Sequence, residues 1–80
     1  MTLTMAPFGS QMAIHKVTGK DDIRKFLANL GFVEGALVRV VTELNGNVII
    51  NVKETRVALD KTLSNRIIVK DTERSEVGSV

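Results

Sequence analysis

The clearest pattern in the chain is a helical stripe. Ile23, Phe26, Leu27 and Leu30 fall at i, i+3, i+4 and i+7, and residues at that spacing share one face of an α-helix. The spacing predicts a helix over residues 20–30 that turns these four side chains inward. Asp21 and Asp22 stand at its start, where carboxylates suit the positive end of the helix dipole. Gly31 follows its end and can take the left-handed conformation that stops a helix, with Phe32 next as an apolar anchor. The full signature, Leu-x-x-Leu-Gly-Phe, spans residues 27–32.

Elsewhere the period is two. Residues 11–17 read as a first strand, but Ile14 and Val17 differ in parity. Side chains alternate faces along a strand, so both reach the core only if the strand bulges or ends near His15 or Lys16. After a turn at residues 33–35, strands are predicted over 36–43 and 47–55. Asn45-Gly46 lies between them as a hairpin signal. A two-residue loop would put Val38 and Val40 on the opposite face from Val48, Ile50 and Val52. A three-residue loop, with Glu43 opposite Asn47, puts Val38, Val40, Thr42, Val48, Ile50 and Val52 on one face. The second register is the expectation. A short strand over 56–59, a single 3₁₀ turn over 60–65 pinned by Leu63, and a last strand over 66–70 complete the chain. The predicted fold is mainly β with one helix: a small SH3-like β-barrel of about five strands, the helix inserted after the first. Closure would remove sheet edges, which so small a protein cannot otherwise hide.

Length and composition narrow this further. Eighty residues without cysteine make one domain whose core must come from side chains alone, and a chain this short buries only about 60% of its unfolded surface. The domain is expected over residues 1–70, with 71–80 a flexible C-terminal tail. No stretch approaches the roughly 20 apolar residues that span a bilayer, and residues 1–10 lack the basic start of a signal peptide. The expected location is cytoplasmic, with no membrane insertion. Eleven basic and nine acidic residues leave a net charge of +2, interleaved rather than gathered on one face, so nucleic acid is not an expected partner.

Candidate chemistry is sparse. Iron(II) sites usually need a cluster of histidines and carboxylates, and the chain has one histidine, His15. His15 reads first as a surface strand residue and is the sole candidate metal ligand. No cofactor is expected, although iron or another divalent transition metal stays open. No catalytic set is expected either. The serines lack a nucleophile-elbow setting, and the glycines of residues 31–35 are not followed by the Lys and Ser/Thr of a phosphate loop. The expectation is a binding protein rather than an enzyme. The hairpin's outer side offers a surface: Val41 opposite Ile49, Leu37 on the same face, Arg39, Glu43, Asn51 and Lys53 around them. Either the helix covers this patch or it is an exposed apolar spot rimmed by charge, as partner sites often are. Arg56 joins the candidates, since either Arg39 or Arg56 could act on a GTPase as an arginine finger. Phe8 either plugs a barrel end or joins the patch. A peptide could lie beside the barrel loops, or an extended segment could add to an open strand.

The order of elements resembles the FeoA family, ferrous iron transport protein A. The matching residues are Leu27, Leu30, Gly31, Phe32 and Gly35, then Val38, Val40 and Gly46, then Arg56, Ala58, Leu59, Ile67 and Val69, with Gly9 and Ile14 ahead of them. The resemblance covers residues 3–70. It implies an SH3-like fold, also found as a C-terminal module in iron-dependent repressors. It implies a bacterial cytoplasmic accessory or regulatory protein of ferrous iron uptake, whose partner is the cytoplasmic GTP-binding region of the membrane transporter FeoB. It implies no ligand set, because the matching residues are glycines and aliphatics, and metal binding belongs to the family level only. Two alternatives remain: a small RNA- or ribosome-associated barrel, and a metal-sensing module like that of the repressors. A monomer is the default oligomeric state.

Overall fold

In a computed structural model, which describes residues 1–72, the elements follow the chain as β1 (Gln11–Val17), α1 (Asp21–Asn29), β2 (Leu37–Leu44), β3 (Asn47–Val52), β4 (Thr55–Asp60), α2 (Lys61–Ser64) and β5 (Ile67–Asp71). A 3₁₀ turn, Leu3–Met5, precedes them. The five strands form one antiparallel sheet in the order β4-β3-β2-β1-β5. β1 therefore sits between β2 and the last strand. The sheet curls around Ile14, Leu27, Phe32, Ile50, Ile67 and Leu3, all essentially inaccessible to solvent.

The helix exit follows from its residues. The Phe32 N–H donates to Leu27 O at 3.0 Å and the Gly31 N–H to Ala28 O at 2.9 Å. This is the Schellman pair of bonds. Gly31 takes φ +110°, and a Cβ there would lie 3.1 Å from Val52 Cγ2. Glycine is needed twice over, for the dihedral and for the approach of β3. Phe32 is buried as expected. The stripe is narrower than its spacing suggests. Leu27 is buried, Ile23 and Leu30 pack against the core, but Phe26 is 49% exposed. α1 turns Leu27 into the core with Ile23 and Leu30 against it, which leaves Phe26 outside.

Two bulges resolve the parity conflicts. In β1, Ile14 pairs with Val69 and Lys16 with Ile68. His15 is the extra residue, and both Ile14 and Val17 reach the interior. In the β2–β3 hairpin the expected three-residue loop is corrected. Leu44 pairs with Asn47 across a two-residue turn, and Asn45 and Gly46 take φ 53° and 83°, the type I′ geometry that Asn-Gly favours. Val38↔Val52 and Val40↔Ile50 keep the expected pairing, but Thr42 faces Ile49 and Glu43 faces Val48. The extra residue sits at Val41 instead of in the loop. Thr42 is consequently exposed rather than on the core face.

β3 ends at Val52, and Thr55 begins β4. Lys53 and Glu54 form the turn between them at φ 50° and 62°. The segment over 60–65 is an α-turn rather than 3₁₀, with the Asn65 N–H donating to Lys61 O at 2.9 Å. Asp60 caps it, Oδ1 accepting the Leu63 N–H at 2.8 Å. The two ends of the sheet, β4 and β5, are joined through α2 and not by a ladder of their own. The expected removal of edges by closure is thus incomplete.

The N-terminal residues are part of the barrel. Leu3 and Ala6 lie in the core, Thr2 bridges Ile68, and the Val69 N–H donates to Met1 O at 2.8 Å. Of the tail expected over 71–80, Asp71 ends β5 and the Thr72 hydroxyl approaches Gln11 O at 3.4 Å. The rest lies outside the described residues.

Candidate functional site

The outer face of the sheet is built by alternation. In β2, Val38 and Val40 point into the core, so Leu37 and Arg39 point out. Adjacent strands place Gln11 opposite Arg39, Arg39 opposite Asn51, and Asn51 opposite Arg56. One polar row, Gln11–Arg39–Asn51–Arg56, crosses four strands. Asn51 Oδ1 accepts from Arg56 Nε at 3.1 Å. Leu37, 51% exposed, borders the row on the β1 side, where its neighbour is Ala13.

A shallow cleft of about 190 Å³ opens there, lined by Gln11, Leu37, Arg39, Asn51, Lys53 and Glu54. Among the described residues the ion pairs are Asp21 with Arg24 and Glu43 with Lys61, the latter at 3.1 Å. Neither involves Arg39, Lys53 or Arg56. Two cations, Arg39 and Lys53, flank an exposed leucine, and among the described residues Glu54 is the one carboxylate lining the cleft. Such a surface suits an incoming carboxylate beside an apolar side chain. The β3–β4 turn adds a second sign. Left-handed dihedrals at lysine and glutamate carry strain that Asn or Gly would avoid, and strained residues concentrate at binding sites.

Of the seven partner-binding candidates, Leu37, Arg39 and Lys53 line this cleft, and Arg56 stands beyond Asn51 at the end of the polar row. Val41 and Ile49 do not face each other: Val41 occupies the bulge, Ile49 pairs with Thr42, and both are half-buried. The α1 helix leaves Leu37 uncovered. Glu43, expected on the same face, is carried away by the bulge to its pairing with Lys61. Phe8 is 61% exposed and plugs nothing. The Gly9 N–H donates to Val40 O at 2.7 Å and holds Phe8 at the margin of β2, apart from the cleft. Sequence reasoning missed Gln11 and Glu54. The first needs the β1–β2 register; the second is hidden when the turn is read as strand.

His15 is exposed on β1. Among the described residues no three of His, Asp and Glu stand close enough together to hold a metal ion.

The fold defines a small SH3-like barrel with a helix added between its first two strands, its outer sheet face open. A family model, the FeoA domain, matches residues 1–71. The chain belongs to the FeoA family. The FeoA of Stenotrophomonas maltophilia, solved with zinc, is described as a prokaryotic SH3 domain protein and proposed as a ferrous iron transport activating factor. It is 30% identical, with 88% of this chain and 89% of that one covered and a TM-score of 0.77. Another structure, an iron uptake regulatory protein FeoA, is 27% identical, with 88% and 93% covered and a TM-score of 0.81. The fold alone is shared with part of the IdeR of T. acidophilum, at 21% identity, 89% and 33% covered, TM-score 0.79. No curated protein matches the sequence.

Proposed function

We propose that this protein is a cytoplasmic accessory factor of ferrous iron uptake that regulates a FeoB-type transporter by binding its cytoplasmic, GTP-binding region. Family membership supports the iron-uptake role, as does the activating role proposed for the S. maltophilia relative. The observation that carries the binding mode is the outer-face cleft. Leu37 is exposed beside Arg39 and Lys53, and no carboxylate of the described residues forms an ion pair with either cation. The work is done by binding, not by catalysis. No helix among the described residues is long and apolar enough to cross a membrane. In this reading the transporter supplies the membrane, and this protein meets its cytoplasmic part.

The test is direct binding between the full chain and the purified cytoplasmic region of the cognate transporter. Arg39→Glu and Leu37→Asp should each weaken binding by about tenfold or more, since buried anchors and desolvated charges dominate interfaces. Raised salt should weaken it further. Neither substitution touches the core, so both should melt like the wild type. Unchanged affinity in both variants would dismiss this face. No binding by the wild type, with normal iron uptake after deletion, would dismiss the function.

A further inference from the structure

The two ends of the sheet are treated differently. The outward edge of β5 is taken by the N-terminus: Thr2 bridges Ile68, and the Met1 backbone exchanges bonds with Val69. The outward edge of β4 has no strand beside it among the described residues. Exposed edges are ordinarily blunted by lysine, proline or a bulge. Thr55–Asp60 contains neither residue, and its ladder with β3 runs without a register shift. It is a regular edge of about 20 Å, guarded only by the charges of Arg56 and Asp60.

Its polar groups are placed by the turn. Val52 and Thr55 flank a two-residue loop, so they form a hydrogen-bonded pair, and alternate residues follow suit. Thr55, Val57 and Leu59 direct their backbone groups toward β3. Arg56, Ala58 and Asp60 direct theirs outward.

We infer that β4 pairs antiparallel with β4 of a second copy of this chain, about a two-fold axis through Ala58. In that register Ala58 faces Ala58 of the second copy and each Arg56 faces Asp60 of the other. The edge is self-complementary in charge, as a two-fold interface must be. Shifting the register by two residues either way sets Arg56 against Ala58 or Asp60 against Ala58 and loses both ion pairs. The side chains are free for it. Arg56 spends only Nε on Asn51, and Asp60 spends only Oδ1 on Leu63. Ala58 is exposed and small enough for close approach. Its cross-strand neighbour Ile49 is half-buried, so the join sets Ile49–Ala58 against its copy as a short apolar stripe. So short an edge gives a weak dimer. The pairing leaves Leu37, Arg39 and Lys53 open and does not depend on the transporter reading.

Sedimentation of the full chain between about 20 and 500 μM tests this. The average mass should rise toward twice the monomer value with concentration, and the rise should shrink several-fold in high salt. Ala58→Pro removes an outward N–H that the β3–β4 ladder does not use, and should hold the chain monomeric. Arg56→Glu and Asp60→Lys should each be monomeric alone, yet associate when mixed. In the mixed pair the introduced glutamate meets the introduced lysine, and the Asp60 kept by one copy meets the Arg56 kept by the other. If the proline variant fails to melt cooperatively, the mixing result decides. A wild type that stays monomeric throughout overturns the inference. So does a charge-variant mixture that remains monomeric while the wild type dimerises, or a folded proline variant that dimerises as well as the wild type.

Discussion

Leu3 belongs to a segment with no periodicity of its own, yet it is fully inaccessible to solvent and lies in the core cluster. Replacing it with alanine removes its apolar surface from the core and leaves a cavity under a 3₁₀ turn whose start is tied to β5 at Thr2 and Met1. A fully buried Leu→Ala change costs roughly 2–5 kcal/mol, and about 3 is appropriate here because the tied backbone limits collapse. A domain of 60–100 residues loses roughly 4–8 °C in melting temperature per kcal/mol. Leu3→Ala should therefore melt about 12–24 °C below the wild type, against a total stability of only about 4–12 kcal/mol. The control is Met5→Ala, two residues on and 70% exposed, which should stay within about 0.5 kcal/mol. Thermal and urea unfolding of the three proteins, followed by far-UV circular dichroism, measures both. A Leu3→Ala shift below about 5 °C, or equal losses in the two variants, would refute the claim that this segment is built into the barrel.

Gly31→Ala should cost about 2–3 kcal/mol, since φ +110° is strained for alanine and the added Cβ presses on Val52 Cγ2 at 3.1 Å; denaturant unfolding reads it. Glu54→Gly should stabilise by about 1 kcal/mol by relieving a left-handed dihedral of 62° at the β3–β4 turn, seen as a higher urea midpoint. Ser64 is fully buried with Oγ lacking a hydrogen-bond partner among the described residues, so Ser64→Ala should match or exceed wild-type stability by up to about 1 kcal/mol in the same assay. A loss of about 2 kcal/mol or more there would show a bond to the hydroxyl.

What could be read without coordinates divides along physical lines. The helix, its glycine stop and the buried Phe32 were legible because helix termination is local chemistry. The bulge in β1 was legible because Ile14 and Val17 demand it. The hairpin shows the limit. Parity required one extra residue, but parity is blind to where it sits. A bulged loop and a mid-strand bulge at Val41 satisfy Val38, Val40, Ile50 and Val52 equally. Lys53 and Glu54 concealed a turn because neither residue prefers left-handed dihedrals. Leu3 was invisible because a plug needs no period. At the site, Leu37 and Arg39 stand together because alternation fixes which residues of one strand look outward, and Lys53 joins them from the β3–β4 turn. Val41 and Phe8 depart from it for the reason the hairpin does: their positions depend on bulges and loop bonds, not on spacing.

The place of β1 in the sheet has a consequence for how the molecule comes into being. Its partners are β2 on one side and β5 on the other, so the strand made first is finished by the strand made last. Until residues 67–71 emerge, Ile14 lacks its Val69 neighbour, and Val17 lacks Ile67. A nascent chain ending at Asp60 is thus no smaller barrel but an unsealed sheet with greasy side chains toward water. Folding must await the closing strand, and many contacts form across nearly the whole length in one slow, all-or-none step.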